Sequence, residues 1–380
     1  MTEVVVVGAG PAGLRVAKKT AEAGHETLVL EKKSVIGKPI QCAGLVSPRV
    51  ISSTGTQSII SKPEKAVIKS PFGERLELKN DRNKAVVIDR AKFDRELALK
   101  AVKAGAEIKL RCAVKGTDIE EKRSVRYEEN GDDKVIQADI VIGADGPASV
   151  IRRSAGLPSP EVFLPAVQAV VPSNDETVMM YLGDDIAPGF FLYEVPYPTG
   201  KLIGLASEDG NAYRHLMDFL RSKGLADKVI TFLSGTIPLG NLQRSVSDGL
   251  CLVGDSACQV KPLSGGGIYY GLKAADICSE VVNSALEKGD VSKSSLNEYH
   301  VRWQDIIGKR ISREMRAREV YKGLSDKDID NLVKTLKKDK PKRIMEKKGD
   351  IDNHSELIKQ LLKAAPELLK FTGPVIKSLL

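Results

Sequence analysis

Val4-Val5-Val6-Val7-Gly8-Ala9-Gly10-Pro11-Ala12-Gly13 is the stretch that decides the fold. A β-branched run passes directly into a GxGxxG string, and Leu14 to Gly24 continues as a helix closed by glycine. Strand, tight turn and helix in that order begin a βαβ unit. Gly8 allows the tight turn, Gly10 lets a diphosphate approach the backbone, and Gly13 lets the helix pack closely on the sheet. The helix N-terminus faces the anion with unpaired N–H groups and a partial positive charge. Thr27 to Glu31 supplies the next strand, which ends in a carboxylate 18 residues after Gly13. Glu31 can accept hydrogen bonds from a ribose 2′-OH and would repel a 2′-phosphate, so the ligand is FAD or NAD and not NADP. Strand, helix and acid together argue against glycines that merely make a turn.

Working outward, a loop rich in Gly, Pro and Lys runs from Lys32 to about Pro48. Residues 64 to 88 alternate apolar and polar as strands do, Asp89 to Gly105 reads as a helix, and Glu107 to Val114 as a strand. Asp139 to Gly143 is a buried strand ending in Gly-Ala-Asp-Gly. Residues 165 to 240 carry short alternating segments, most of the aromatics and several Pro-Gly punctuations, which predicts an antiparallel sheet in a separate domain. The parallel theme returns at Gly249 to Gly254, and a long helix is expected from near Gly267 past Val282. From Leu296 the pattern is helical and charged, with a more apolar stretch from Leu357 to Leu380.

A chain of 380 residues is long enough for two or three structural units with a sizeable core. Its 42 % hydrophobic content is ordinary for a globular protein, and no run of about eighteen apolar residues marks a membrane span. The valine run has no basic region before it, which predicts a cytoplasmic strand rather than a secretion signal. Five cysteines without a CxxC pair give neither a disulfide framework nor a zinc site its usual spacing. Charge is uneven: residues 301 to 380 hold 20 Lys and Arg against 12 Asp and Glu, whereas the first 300 residues balance. Such an excess is a solvated helical surface or an attraction to an anionic one. Scarce aromatics and no nucleic-acid motif place a membrane surface ahead of nucleic acid.

Two later segments choose FAD over NAD. Ala138-Asp139-Ile140-Val141-Ile142-Gly143-Ala144-Asp145-Gly146-Pro147, with Ser149 and Arg152, and Gly249-Leu250-Cys251-Leu252-Val253-Gly254-Asp255-Ser256-Ala257 resemble the second and third fingerprints of the para-hydroxybenzoate hydroxylase class of flavoproteins. Asp255 follows a strand, where its carboxylate can bind a ribityl or ribose hydroxyl. Pro262 to Ile268 then makes a glycine-rich turn into a helix whose N-terminus can face the flavin N1–C2=O edge. Asp89-Arg90-Ala91-Lys92-Phe93-Asp94 resembles the element of this class in which the arginine contacts FAD. No second GxGxxG opens an NAD(P)H domain, so electrons are expected from a transiently docking donor: a ferredoxin-like protein, reduced deazaflavin or NAD(P)H.

Within that class the chain is most similar to the geranylgeranyl reductase family, especially the archaeal digeranylgeranylglycerophospholipid reductases. The segments that carry the resemblance are Gln41-Cys42-Ala43-Gly44-Leu45-Val46-Ser47 and Val260-Lys261-Pro262-Leu263-Ser264-Gly265-Gly266-Gly267-Ile268, and it covers roughly residues 1 to 290. It implies an α/β fold: a Rossmann-like FAD-binding domain from residues 1–48, 89–160 and 241–295, an antiparallel-sheet substrate domain from 49–88 and 161–240, and a helical C-terminal region from 296–380. It also implies that Ala12, Glu31, Cys42, Ala43, Leu45, Arg90, Val114, Asp255, Gly267 and Ile268 touch FAD, beside the glycines Gly8, Gly10 and Gly13.

One departure concerns the substrate. Where the family often has Pro-Gly-Gly-Tyr-x-Trp-x-Phe-Pro lining the lipid site, this chain has Pro188-Gly189-Phe190-Phe191-Leu192-Tyr193-Glu194-Val195-Pro196. Phe191 and Tyr193 are either ordinary sheet core or part of that lining. Cys42 is likewise a small hydrophobe or a functional group of the flavin loop, and no His or acid stands out as proton donor. The activity the resemblance implies is hydride transfer from reduced FAD to a prenyl double bond of an isoprenoid lipid, in a dry apolar tunnel, and the basic C-terminal region fits a protein that draws lipid from an anionic membrane surface without spanning it. An aromatic-ring hydroxylase of the same fold and a flavin-dependent sensor are the competing expectations.

Overall fold

The computed structural model describes residues 2–80, 84–119 and 123–371. The valine run lies in strand Thr2–Val7, whose residues are buried apart from half-buried Glu3. It is central because both its edges are paired: Val4 to Val7 run parallel to Ile140–Gly143 on one side and Thr27–Leu30 on the other. Sheet order is Val246–Ser247, Leu250–Leu252, Asp132–Gly143, Thr2–Val7, Thr27–Glu31, Glu107–Leu110. Strands covered on both faces read as continuous apolar runs, with alternate side chains going to opposite cores. Val4 and Val6 pack with Leu14, Phe93, Leu97 and Ile277 from the helices Pro11–Glu22, Arg90–Lys103 and Ile268–Glu287. Val5 and Val7 pack on the other side against Val125, Tyr127, Ile151 and Leu157.

A second sheet has seven strands in the order Thr231–Leu239, Val162–Val171, Gly200–Ala206, Phe191–Tyr197, Val178–Leu182, Lys65–Lys69, Arg75–Lys79. It is antiparallel except where Val178–Leu182 runs parallel to Lys65–Lys69. One face is covered by the helix Ala212–Ser222, through Leu216, Phe219 and Leu220. The other face, carrying Leu164, Phe190, Phe191, Tyr193 and Val195, is turned toward Val260 and the loop residues Ala43 and Leu45. A small sheet of Leu45–Val46, Val86–Ile88 and Ile59–Ser61 joins that loop to the start of helix Arg90–Lys103.

Local structure departs from the sequence expectations in three places. The strand expected over Glu107 to Val114 is broken at Arg111, whose φ of 58 turns the chain. Glu107–Leu110 is the parallel edge, and Cys112–Asp118 starts an antiparallel ribbon with Ser124–Glu129. The strand expected from Asp139 begins at Asp132, because its exposed polar first half pairs in that ribbon before the chain enters the parallel sheet. Within residues 165 to 240, helix Ala212–Ser222 interrupts the strands.

The C-terminal layer comprises helices Lys293–Trp303, Lys309–Lys322, Asp326–Leu336, Asp339–Lys348 and His354–Ala364. Trp303 is fully buried and donates its indole N–H to Ser245 Oγ at 2.9 Å. Leu361, Leu362, Leu368 and Phe371 form a separate small core with Leu332, Leu336 and Ile344. The rest of the apolar stretch, beyond Phe371, lies outside the described residues. Among the described residues no helix is long and apolar enough to cross a membrane.

Candidate active site

Three turns converge at the ends of the parallel strands. At the first, φ of Gly8 is +106 and a Cβ there would stand 2.4 Å from the Ala144 carbonyl oxygen; a Cβ on Gly13 would stand 2.2 Å from Gly8 O. Around Gly10, by contrast, no heavy atom lies within 4 Å of the corresponding position. No side chain caps the helix that follows. The turn is therefore tight where the protein needs closeness and open where a diphosphate would approach. Glu31 is 7 % exposed, and its two oxygens accept the Ala9 N–H at 2.7 Å and the Lys33 N–H at 2.9 Å. Two backbone donors thus fix the acid at the end of the second strand. Val114 packs beside the core of Leu28 and Leu30.

The second and third turns are stapled to each other. Asp145 caps the short helix Val150–Ser154 by accepting the N–H groups of Val150 and Ile151 at 2.7 and 3.2 Å. Arg152, 1 % exposed, donates to Ser256 O at 2.8 Å and Pro147 O at 2.7 Å. Ser256 Oγ donates back to Gly143 O at 2.5 Å. The Gly254 N–H donates to Gln259 Oε1 at 2.7 Å, Gln259 Nε2 to the Tyr299 hydroxyl at 2.8 Å, and that hydroxyl to Leu252 O at 2.7 Å. Ala12 sits where the first and third turns meet, its Cβ 3.0 Å from the position of a Cβ on Gly254.

Opposite these turns the loop Gln41–Ser47 folds onto the start of helix Arg90–Lys103. Gly44, at φ +74, comes so close to Ile88 that a Cβ would lie 2.5 Å from its carbonyl oxygen. The Gly44 N–H donates to Cys42 Sγ at 3.4 Å. Arg90 donates to Asp94 at 3.2 and 3.1 Å. Burial disfavours its cation, but Asp94 and the neighbouring Cys42 more than offset that and hold its pKa above the usual arginine value. Asp255 faces the same guanidinium: burial pushes its carboxyl above the ordinary aspartate value and Arg90 pulls it back. Gly267 lies against Asp255, with a Cβ position 2.8 Å from Oδ1, and Ile268 begins the helix behind it.

The inner face of the second sheet completes the wall. Tyr193 donates its hydroxyl to Gln168 Oε1 at 2.9 Å. The bond crosses Gly204, where a Cβ would be 2.6 Å from the Tyr193 hydroxyl oxygen. Burial, and secondarily Cys42, raises the Tyr193 pKa. Phe191 stacks on Phe190 at 4.4 Å and meets Tyr193 edge-on at 6.2 Å. Phe190 and Ile237 reach the glycine turn, 3.4 and 2.8 Å from the Cβ position of Gly265.

Cys42, Ala43, Leu45, Arg90, Asp255, Gly267 and Tyr193 are thus brought together, while Glu31 is tied to the first turn through the Ala9 N–H and Val114 packs on the core of Leu28 and Leu30. Sequence reasoning missed the supports: Gln259 with Tyr299, Gln168 with Gly204, and Lys261 with Asp352. Each joins residues distant in the chain, and no local pattern marks them. Only Arg152 had a signal, its place in the second fingerprint.

Apposed glycine turns, an uncapped helix start and an acid fixed at the end of the second strand fit FAD. Residues 1–185 match the FAD binding domain family. The chain is 32 % identical to digeranylgeranylglycerophospholipid reductase 2 of Methanopyrus kandleri over 99 % of both chains. It is 35 % identical to the reductase 2 of Methanothermobacter thermautotrophicus over 88 % of this chain and 91 % of that one. The crystal structure of a geranylgeranyl bacteriochlorophyll reductase-like protein from Thermoplasma acidophilum matches with a TM-score of 0.88 and 25 % identity, over 100 % of this chain and 99 % of the other. The chain therefore belongs to the digeranylgeranylglycerophospholipid reductase family and is an FAD-dependent oxidoreductase.

Proposed function

We propose that this oxidoreductase saturates the prenyl double bonds of isoprenoid glycerophospholipids. The observation that carries this reading is the apolar sheet face of Phe190, Phe191, Tyr193 and Ile237 closing directly on the glycine turn at Gly265. When bound and reduced by the external donor, FAD would supply a hydride equivalent for one alkene carbon while a proton reaches the other. Gly8, Gly10, Ala12 and Gly13 would hold its diphosphate and Glu31 its ribose, with Val114 nearby. Arg90 and Asp255 would hold the ribityl end, and Cys42, Ala43, Leu45, Gly267 and Ile268 would border the ring.

An isolated alkene is a poor hydride acceptor, so the protein must contribute placement and dryness. Phe190, Phe191 and Ile237 exclude water and give a branched hydrocarbon a surface to lie on. Tyr193 keeps its proton through the ordinary pH range, because burial raises its pKa and its hydroxyl donates to Gln168. It therefore presents a neutral wall to an apolar chain. Arg90 keeps a fixed positive charge beside Cys42 and Asp255.

The same reading needs an external electron donor, a ferredoxin-like protein, reduced deazaflavin or NAD(P)H, and peripheral contact with an anionic membrane. Helix Asp339–Lys348 suits that contact: five of its ten residues are Lys or Arg, against Asp339 and Glu346. Sedimentation with vesicles tests it, and equal binding to neutral and anionic vesicles would remove the electrostatic attraction.

The deciding experiment is anaerobic. The protein is reduced with dithionite, mixed with geranylgeranylated glycerolipid, and followed for flavin reoxidation and product mass. Reoxidation with gains of two hydrogens per double bond is the expected result. Flavin that stays reduced until air is admitted refutes prenyl reduction and favours oxygen chemistry on a phenolic substrate.

A further inference from the structure

The glycine turn at residues 262–267 opens on Lys261, which is 6 % exposed. Its backbone closes the turn: the Gly265 N–H donates to Lys261 O at 2.8 Å, and the Lys261 N–H donates to Gly266 O at 3.2 Å. Its side chain lies back over the turn, with Cε 2.7 Å from the Cβ position of Gly266. The ammonium donates to Ile351 O at 2.5 Å and to Asp352 Oδ1 at 2.9 Å. Asp352 is 1 % exposed, and its carbonyl accepts the Tyr270 hydroxyl at 3.2 Å. The connection between helices Asp339–Lys348 and His354–Ala364 is therefore a strap across the base of the turn. Arg49, which follows the Cys42 loop, grips the same strap through Asp350 at 2.8 Å and Asp352 at 3.4 Å.

We infer that Asp352 is a positioning residue for FAD: by neutralising buried Lys261 it sets the glycine turn that brings Gly267 against Asp255. A buried ammonium is strongly unfavourable unless paired and hydrogen-bonded. The partner here comes from the C-terminal layer, 91 residues further along the chain. Both flavin-side elements, the Cys42 loop through Arg49 and the glycine turn through Lys261, reach their final geometry only when that layer is docked. Because the pairing concerns cofactor placement, it holds whatever lipid or other substrate the enzyme reduces.

Asp352→Asn keeps the shape and one acceptor but removes the charge. In the full-length protein it is expected to weaken FAD binding about tenfold or more and to shift the visible absorption of bound flavin. Glu367→Gln breaks the surface pair with Lys338 in the same layer and is expected to alter neither. A lower melting temperature for Asp352→Asn with FAD affinity and spectrum unchanged would make the contact structural only, and overturn the inference. If that variant does not fold, amide exchange of the wild-type protein decides the question. Coupling is reciprocal, so FAD must slow exchange across residues 350–354; identical exchange with and without FAD also overturns the inference. None of these readouts requires turnover.

Discussion

The two glycine turns of the site are built from different materials. The first, Gly8 to Gly13, is defined by backbone: Gly8 N–H to Leu30 O at 2.9 Å, Ala144 N–H to Val7 O at 2.9 Å, and Gly13 against Gly8 O. The second, Pro262 to Gly267, is closed by its own backbone but anchored by side chains from elsewhere: Asp352 on Lys261, and Tyr299 on Gln259 in the turn just before it. Parallel strands supply their backbone geometry with almost any apolar sequence, so the first turn needs only glycines at fixed spacing. The second needs particular partners at particular distant positions, and is a product of the whole fold.

The largest effect that would break this contrast is at Gly13. In Gly13→Val a side chain would begin 2.2 Å from Gly8 O and 2.9 Å from Ala144 Cβ. FAD content of the purified protein is expected to fall to background, and retained flavin would show that the backbone turn tolerates what its geometry forbids. Next comes Arg152, the staple between the turn at Asp145 and the turn at Ser256. Arg152→Met leaves the buried carbonyl of Ser256 and the half-buried one of Pro147 without donors and should destabilise by about 2 kcal/mol. Urea denaturation measures this, and a loss below about 1 kcal/mol would mean the two turns stand independently.

Asp255 offers a test with a sign. Its carboxyl pKa is raised by burial, so the folded state binds the proton more readily than the unfolded chain. That contribution stabilises in acid and is lost as pH rises through the folded pKa. Removing the carboxyl should therefore help the FAD-free fold more at pH 7 than at pH 4, while weakening FAD binding about tenfold or more. The experiment is Asp255→Asn, with melting temperatures at both pH values and FAD titration at pH 7. A melting difference independent of pH would show that burial is not what perturbs this group. The smallest effect is expected at Tyr193, where Tyr193→Phe removes one hydrogen bond to Gln168. It should cost about 1 kcal/mol of stability and leave FAD content unchanged. Loss of flavin instead would place Tyr193 in the cofactor cradle rather than in the opposing wall.

By itself the sequence determined the parallel sheet, the acid that ends its second strand and the order of the turns at Gly8, Asp145 and Asp255. Each is encoded by residues adjacent in the chain or by a periodicity that buried strands impose. Gly8, Gly13 and Glu31 stand in the structure as their spacing implied. Only the tertiary structure decided that Cys42 lies beside Arg90, that Tyr193 spans Gly204 to reach Gln168, and that the ribbon after Arg111 turns away from the parallel edge. The charged C-terminal region gives the clearest case. From sequence, Asp352 is one acid among many on a basic helical end, because a pair 91 residues apart leaves no periodicity to read. In the fold it is the counterion that lets Lys261 be buried, since a low-dielectric interior makes each buried charge depend on whichever partner packing brings to it.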